Sequence, residues 1–421
     1  MRLKPRLLAR DALAGVLATG VLIPSALAYA LLAGLPPEAG LAALVLPPLV
    51  YGLLASSRYI SVSPTGQVSA LVAIGVGGLA AGDPVRYAAL AATLALMVGG
   101  LLVAAGLLRL GFLTDFISRP VLIGYGLGAA LTVITSQLPA LLGLKVDGIR
   151  FSQVFPRLLG ALDGLRPLPA LFGLGCLAVY FIARRWVRVL PPALVTLGVA
   201  AVVVAGFHLD ERGLAVVGAL PRGRLTLGLP AISLADARAL LPVALVIFLL
   251  VFLDSNSLGR GLATKHDAPL NVNRELHALG AMNVAAGLVA AFPVSANSSS
   301  SRIYEVLGAR TFVARLVTTA IAAGALFLAP SFPNLSRAAL AVVVIGTVVE
   351  AVDWRASRGV WHFSHQEAFL GGVAFMGVLT LGLVLGMLLA AIASILLLIY
   401  RAAHPNIVQL GEAPDHPEGF G

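Results

Sequence analysis

The feature that most constrains this chain is a succession of long apolar stretches, separated by clusters of glycine, proline and charged residues. A transmembrane helix needs roughly 20 mostly apolar residues. Fourteen candidate segments can be counted, with the third and tenth too short or too polar for ordinary spans. Their centres lie near Ile23, Val45, Ala73, Leu96, Ala130, Leu177, Val199, Ile247, Val284, Ser300, Ala322, Val344, Ala374 and Leu389. Because these stretches are too long for barrel strands, the sequence predicts an all-α integral membrane protein.

The composition agrees with this prediction and argues against a soluble protein and against a nucleic-acid-binding protein. Only 11% of the 421 residues are charged, whereas a soluble domain has about 25%. The net charge of +10 could indicate nucleic acid, but the basic residues are scattered between apolar stretches, as topology signals are. They predict a cytoplasmic N-terminus, and an even number of crossings returns the C-terminus to the same side. Glu305 and Arg315 are expected to be a structural pair or solvated charges.

The residues that enzymes and metal sites need are not arranged in any pattern that indicates such a site. The single cysteine, Cys176, excludes an intramolecular disulfide and a CxxC metal site. The seven histidines show no metal-ligand spacing, and no His or Cys is placed to activate a serine. We therefore expect a protein that is not an enzyme, with no catalytic residue, no metal and no cofactor beyond a coupling proton or sodium ion.

Two matching polar segments interrupt the apolar pattern. One runs from Ser61 to Ser69 and the other from Pro293 to Ser301, and their Val-Ser pairs lie 232 residues apart. In both, a short extended Val-Ser stretch precedes small polar residues that can begin a helix; Pro64 fits a first-turn position, and Asn297 or Ser298 an N-cap. This predicts an inverted repeat of seven plus seven segments, with half-helices at segments three and ten whose N-termini point into the membrane.

Several segments together resemble the sulfate permease (SulP) anion-transporter family, whose animal relatives include prestin and pendrin. The resemblance covers about residues 11–411 and rests on the order and spacing of Ile23–Ala30, Leu32–Pro37, Ser57–Val62, Asp115–Val121, Asn273–Leu276 and Asp353–Arg355. It implies a fourteen-segment fold with UraA-like core and gate domains, forming a homodimer through the gate. Family members usually continue into a cytoplasmic STAS domain, which we expect to be absent from these 421 residues.

The resemblance also implies domain boundaries. Residues 1–10 would be a cytoplasmic N-terminus, 11–110 and 239–330 the core, 111–238 and 331–403 the gate, and 404–421 a linker-like cytoplasmic tail. In the family, the anion lies between the N-termini of segments three and ten, flanked by segments one and eight. This implies a binding site composed of Ser25, Tyr29, Thr65, Gly66, Gln67, Asn297, Ser298, Ser299 and Ser300. Many anion-selective members have an arginine where this chain has Ser300, which argues against sulfate or chloride as the substrate.

Asp254 is the residue that we expect to couple transport to a cation. It follows an apolar run that begins at Leu241, which places it roughly 20 Å into the membrane. An ionisable group at that depth costs at least ~2.5 kcal/mol and is a functional candidate by default. The matching position in the family is acidic and takes part in ion coupling.

A charge count then predicts the mechanism. Each helix N-terminus acts as about half a positive charge, so two of them balance an ionised Asp254 and leave no surplus for an anion. A proton on Asp254, or a sodium ion beside it, restores the balance. We therefore expect cation-coupled symport of a small anion by alternating access, with a proton as the favoured coupling ion and sodium as the alternative.

Three questions stay open at the level of sequence. Bicarbonate, a small dicarboxylate such as fumarate, and an inorganic oxyanion all suit a compact polar site. An uncoupled anion exchanger or channel, and a proton-coupled nucleobase transporter of the same architecture, are the alternative functions. The preference for Arg over Lys suits a bacterium with a GC-rich genome, so the bacterial cytoplasmic (inner) membrane is the expected location.

Overall fold

The structure is a mostly helical assembly of membrane-spanning and half-length helices. This computed structural model describes residues 5–115, 119–146, 148–187, 190–218, 225, 227–231, 233–266, 270–309, 311–328, 335–352, 354, 365–403, 412–413 and 416–420. The helices are α1 (Pro5–Leu32), α2 (Pro37–Ala42), α3 (Leu46–Leu54), α4 (Gly66–Gly77), α5 (Pro84–Leu107), α6 (Arg119–Leu142), α7 (Phe151–Gly160), α8 (Pro167–Trp186), α9 (Pro192–Phe207), α10 (Leu234–His266), α11 (Val272–Leu288), α12 (Ser298–Val306), α13 (Val313–Leu328), α14 (Arg337–Ala351), α15 (His365–Leu381) and α16 (Leu383–Ala403). Short 3-10 helices cover Leu110–Asp115 and Leu162–Gly164.

Among the described residues, six stretches are long and apolar enough to cross a membrane. They are Leu7–Leu32, Pro37–Leu54, Pro84–Leu107, Pro120–Leu142, Pro167–Trp186 and Leu234–His266. Five shorter apolar helices accompany them: Gly66–Gly77, Pro192–Phe207, Val313–Leu328, Ala368–Leu381 and Leu383–Leu397. Many of these helices begin at proline, whose missing N–H costs nothing in the first turn. The prediction of a helical, multi-pass membrane protein is therefore confirmed in its broad form.

Close helix packing is made possible by small residues. A Cβ atom on Gly99 of α5 would lie 2.7 Å from the backbone nitrogen of Val284, and one on Gly280 of α11 would lie 2.8 Å from that of Val103. Such contacts let the two backbones approach closely, which is how helices associate where lipid offers no hydrophobic drive. The α5–α11 pair is an extensive contact between helices, and α5 also packs against the half-helix α4.

An ion pair at one end of the molecule shows the relative direction of α5 and α10. Arg86, at the start of α5, pairs with Asp236, at the start of α10, at 2.8 Å. Both helices therefore begin at the same end. Lys265 and His266, at the far end of α10, both contact Glu305, near the end of α12. Glu305 is thus paired, but with these two residues rather than with Arg315.

The structure differs from the sequence predictions at four places. The second predicted segment is two helices, α2 and α3, because the chain breaks around Val45 before two prolines. The connection between the predicted segments near Ala130 and Leu177 contains the amphipathic helix α7. A proline inside a helix usually disrupts it, but α1 runs without interruption through Pro24. The described parts of the tail form a pair of short strands, β3 (Glu412–Ala413) and β4 (His416–Phe420), where a linker was expected.

Some predictions fall on residues outside the described part of the chain. Residues 116–118, 353 and 355, which belong to two of the family motifs, are among them, as are residues 1–4 and 404–411 of the predicted termini.

Candidate functional site

Two three-residue strands hold the starts of the half-helices together. β1 (Ser61–Ser63) pairs antiparallel with β2 (Ser295–Asn297), with Ser61 opposite Asn297 and Ser63 opposite Ser295. The Asn297 amide Nδ2 donates to Ser63 Oγ at 2.9 Å, and the Ser61 N–H donates to Ser301 Oγ at 2.8 Å. Because all these groups are buried, the sequence-distant starts of α4 and α12 are fixed relative to each other.

The two helix starts are capped differently. Of the two residues predicted as alternatives, Asn297 is the N-cap of α12, and its Oδ1 accepts from the Ser300 N–H at 3.0 Å. α4 begins at Gly66 with Thr65 as its N-cap residue in an extended conformation, so the prediction of Pro64 in the first helical turn is wrong by two residues. The Thr65 hydroxyl is buried and makes no hydrogen bond with a described residue. The first N–H groups of a helix have no partner within it, so both ends offer donors to a ligand.

A cavity of about 340 Å³ lies where these helix starts meet α1, α6, α10 and α14. Its polar lining residues are Ser25, Tyr29, Thr65, Gln67, Asp254, Ser257, Asn297, Ser298, Ser299 and Thr347. The remaining wall is small or apolar and comes largely from α6 and α14. No lysine, arginine or histidine is among its lining residues, all of which the structure describes.

Asp254 is the only carboxylate among these lining residues. It lies on α10, between the buried residues Leu253 and Ser255, and its own side chain is exposed to the cavity. No described residue forms a hydrogen bond or an ion pair with it. A negative charge there has the two helix N-termini as its partial positive charges, so its protonation and the charge of any ligand are coupled.

Tyr29 and Ser25 approach the cavity from α1. The Tyr29 hydroxyl shares a 2.7 Å hydrogen bond with Thr347 Oγ1 of α14, while Ser25 Oγ donates to the Val21 carbonyl of its own helix at 2.7 Å. A Cβ atom on Gly66 would lie 3.2 Å from the Tyr29 ring and 3.1 Å from Val348. The absent side chain at Gly66 therefore lets the start of α4 come close to both α1 and α14.

The cavity continues toward one end of the molecule and is closed toward the other. Its lining includes Leu122 near the start of α6, Leu258 toward the end of α10, and Val352 just after α14. In the opposite direction, the next side chains along α6 and α10 are buried: Val133 is 0% exposed and Leu250 is 2% exposed. The open end is the one where α10 terminates, away from the Arg86–Asp236 pair.

Sequence reasoning identified most of the polar residues that line this cavity. Ser25, Tyr29, Thr65, Gly66, Gln67, Asn297, Ser298, Ser299 and Asp254 all do so. Ser300 does not: it is fully buried behind the helix start, where its N–H completes the cap. Ser257 and Thr347 were missed. Ser257 could have been found, because it lies three residues after Asp254 on the same helical face.

Comparison with protein families gives a match over most of the chain. The model described as the sulfate permease family matches residues 8–374. A probable sulfate transporter of Mycobacterium tuberculosis is 38% identical over 410 residues, which are 97% of this chain and 73% of that protein. The chloroplastic sulfate transporter 4.1 of Arabidopsis thaliana is 31% identical and is matched over 96% of this chain but only 60% of its own length. The chain thus spans about three-fifths of this plant relative.

Solved structures show the same fold. That of SLC26A9 superposes with a TM-score of 0.84 at 20% identity, covering 93% of this chain and 65% of that one. The transmembrane domain of the cyanobacterial bicarbonate transporter BicA superposes with a TM-score of 0.79 at 23% identity, covering 93% of this chain and 98% of that one. At these identities the likeness is one of fold.

Proposed function

Because this chain belongs to the sulfate permease family, whose members are membrane transporters and not enzymes, we propose that it is a secondary active transporter of a small anion, coupled to a proton. One observation carries the proposal. Two helix N-termini meet the carboxylate of Asp254, which pairs with no described residue, in one cavity that has no lysine, arginine or histidine in its lining.

The charges in the cavity favour symport with a cation. Two helix N-termini together supply about one positive charge, which an ionised Asp254 cancels. A monoanion entering beside that carboxylate would be an unpaired charge in a poorly solvated site, which is strongly unfavourable. Protonation of Asp254 leaves the helix ends free to bind the anion through backbone N–H groups and the serine hydroxyls. A sodium ion beside Asp254 would serve the same purpose and is the second possibility.

The substrate is a compact anion. Bicarbonate, a small dicarboxylate such as fumarate, and an inorganic oxyanion suit a cavity of about 340 Å³ with hydroxyl and amide donors. The relatives in Mycobacterium and Arabidopsis are named for sulfate, and one structural neighbour is a bicarbonate transporter. Against sulfate, and equally against a fully ionised dicarboxylate, stands the double charge, for which the lining residues provide no cationic side chain.

Alternating access follows from a division of the fold into two bodies. In this proposal, fourteen segments form a seven-plus-seven inverted repeat, with residues 11–110 and 239–330 as the core and 111–238 and 331–403 as the gate. The Tyr29–Thr347 hydrogen bond then joins core to gate beside the substrate, and it breaks as the core moves. The cavity is open toward the cytoplasm in this arrangement, with both chain termini on that side. The protein is a homodimer through its gate, in a bacterial inner membrane.

Uptake into proteoliposomes tests the coupling. Purified protein is reconstituted, and accumulation of labelled bicarbonate, fumarate, sulfate and phosphate is measured under an imposed proton or sodium gradient. We expect concentrative uptake of one anion driven by the proton gradient. In Asp254→Asn this accumulation is lost, while exchange of labelled for unlabelled anion persists because the helix ends remain. Asp210→Asn, at an exposed carboxylate in the connection after α9, is the matched control and keeps full coupling.

Other outcomes would point to the alternatives. Accumulation by Asp254→Asn that still follows the proton gradient would remove Asp254 from the coupling step. Counterflow or current without any cation gradient in the unmodified protein would make it an exchanger or a channel. Uptake of uracil in place of any anion would identify a nucleobase transporter.

A further inference from the structure

A second cavity, separate from the transport site, has an arginine-rich lining. It measures about 270 Å³ and is bordered by the segment from Gly52 to Arg58, by Arg274 at the start of α11, and by Thr311 to Arg315 at the start of α13. We call Arg58, Arg274 and Arg315 the arginine pocket. It lies at the end of the molecule where α3 ends and α11 begins.

Arg315 is held rigidly in the wall of this pocket. It is only 6% exposed, and its Nη2 donates to the carbonyls of Ser57, Arg58 and Ile60 at 3.0 to 3.3 Å. Its guanidinium also lies over the Tyr51 ring at 5.7 Å. Nε is buried, and neither Nε nor Nη1 makes a hydrogen bond with a described residue. The guanidinium therefore has donors left that nothing described in the structure uses.

The other two arginines carry further unpaired charge. Arg274 Nε donates to the Leu54 carbonyl at 2.9 Å, and both Arg274 and Arg58 are exposed. Among the described residues, no carboxylate pairs with any member of the arginine pocket. Like charges gathered without a counter-ion repel one another, so the cluster is stabilised when an anion enters it.

Two buried carboxylates next to the pocket are already engaged by other donors. Glu275 accepts from the Tyr51 hydroxyl, from both the N–H and the hydroxyl of Ser56, and from the Ser57 N–H. Asp11 accepts from the Thr311 N–H at 2.7 Å and from the Thr311 hydroxyl. Both carboxylates are thus held by hydroxyl and amide donors beside the pocket.

We propose that the arginine pocket is a binding site for a phosphate-type oxyanion, either free phosphate or the phosphate headgroup of an anionic lipid. The planar guanidinium fork matches the oxygens of a phosphate bidentately, which is why arginine is the side chain used for such groups. The volume is slightly smaller than that of pockets that take drug-sized ligands, which suits a compact group. An occupied pocket would also fix Ile60, the residue that leads directly into β1 and the transport site.

Binding of inorganic phosphate to the detergent-purified chain is the direct test. The probe is phosphate titrated calorimetrically at constant ionic strength, with chloride as the compensating anion. We expect one saturable site whose affinity falls about tenfold in Arg58→Gln, since one charge-assisted contact is lost. Arg58 is chosen because no described residue depends on its side chain for a hydrogen bond. Arg185→Gln, at an exposed arginine near the end of α8, is the charge-matched control and binds normally.

Two further measurements distinguish free phosphate from a lipid headgroup as the ligand, and the arginine pocket from the transport cavity as the binding site. Short-chain phosphatidic acid, compared with phosphatidylcholine, replaces free phosphate in a parallel titration; binding of phosphatidic acid alone identifies a lipid headgroup site. Gly66→Val, which fills the transport cavity, leaves phosphate binding unchanged. Arg58→Glu, which reverses the charge, is measured beside Arg58→Gln. If phosphate binding is lost in Gly66→Val but kept in both Arg58 variants, the ligand binds in the transport site and the proposal is overturned. Absence of binding by both probes overturns it as well, whatever the transport assays show.

Discussion

At the scale of single residues, Gly66 determines whether the transport cavity has room for a ligand. A Cβ atom added to Gly66 would lie so close to Tyr29 and Val348 that one of these neighbours would have to move by a few tenths of an ångström. We predict that Gly66→Val abolishes anion uptake in proteoliposomes, because the branched side chain must occupy cavity space, and that Gly66→Ala reduces it partially. Full uptake by Gly66→Val would mean that the anion does not pass between α4 and α1.

The matched control for this substitution is Gly78→Ala. Gly78 follows the other end of α4, has an ordinary helical conformation, and has no atom within 4 Å of a built Cβ. Its replacement is expected to leave uptake unchanged. Thermal unfolding in detergent accompanies both variants, so that loss of transport in Gly66→Val can be separated from loss of the fold.

Residues of the site could be predicted where a local pattern marks them. Asp254 stands out as a charge in an apolar run, and Asn297 as a cap residue before a serine run. Thr347 carries no such mark, because a threonine in an apolar helix is commonplace and its contact with Tyr29 joins residues 318 positions apart. Ser300 was placed in the site by its position in the motif, but its burial depends on the direction in which α12 turns after the cap.

At the scale of secondary-structure elements, the start of α12 depends on Asn297. Its side chain both caps the helix through Oδ1 and reaches across to Ser63 through Nδ2. We predict that Asn297→Ala lowers stability by about 1 kcal/mol or somewhat more, as the loss of an N-cap does, seen as a lower unfolding temperature. Asn297→Asp keeps an oxygen for the cap, so it unfolds near the normal temperature.

The Asn297→Asp variant nonetheless fails to transport, because a second negative charge then lines the anion site. Equal uptake by Asn297→Asp and the unmodified chain would argue against a negatively charged substrate.

The half-helices themselves were predictable, and their exact starts were not. A short Val-Ser stretch before small polar residues indicates strand followed by helix in both halves, and β1–α4 and β2–α12 have that order. The pairing of β1 with β2 holds both approaches extended: β2 leads directly into α12 at Ser298, whereas β1 ends at Ser63 and two further residues precede α4. That is tertiary information, so Pro64 was assigned to the helix although Thr65 is still extended. The break between α2 and α3 lies just before Pro47 and Pro48, and hydropathy alone does not mark it.

At the scale of the whole molecule, the structure has one open and one closed side. Asp254 and Ser257 are exposed to a cavity that continues toward the end of α10, whereas Val133 and Leu250 fill the layer beyond the site. Such a one-sided cavity is what an alternating-access transporter presents in each of its end states. Hydropathy could predict the membrane spans but not which side of the cavity is open, because the inward-open and outward-open states place the same apolar segments in the same bilayer.

Access to the cavity can be mapped with a single cysteine. The natural cysteine, Cys176, is buried, so Cys176→Ser provides a background for reporters. We predict that Ser257→Cys reacts with a membrane-impermeant maleimide in inside-out vesicles and not in intact cells, because its side chain faces the open end of the cavity. Val85→Cys, at the α5 start beside the Arg86–Asp236 pair, should react only from outside, and Leu108→Cys, after the other end of α5, only from inside. Labelling of Ser257→Cys from outside alone, with both controls behaving as expected, would reverse the assigned direction of the open cavity. If substrate and a proton gradient together slow the inside reaction, the cavity closes to the cytoplasm during transport, as movement of the core past the gate requires.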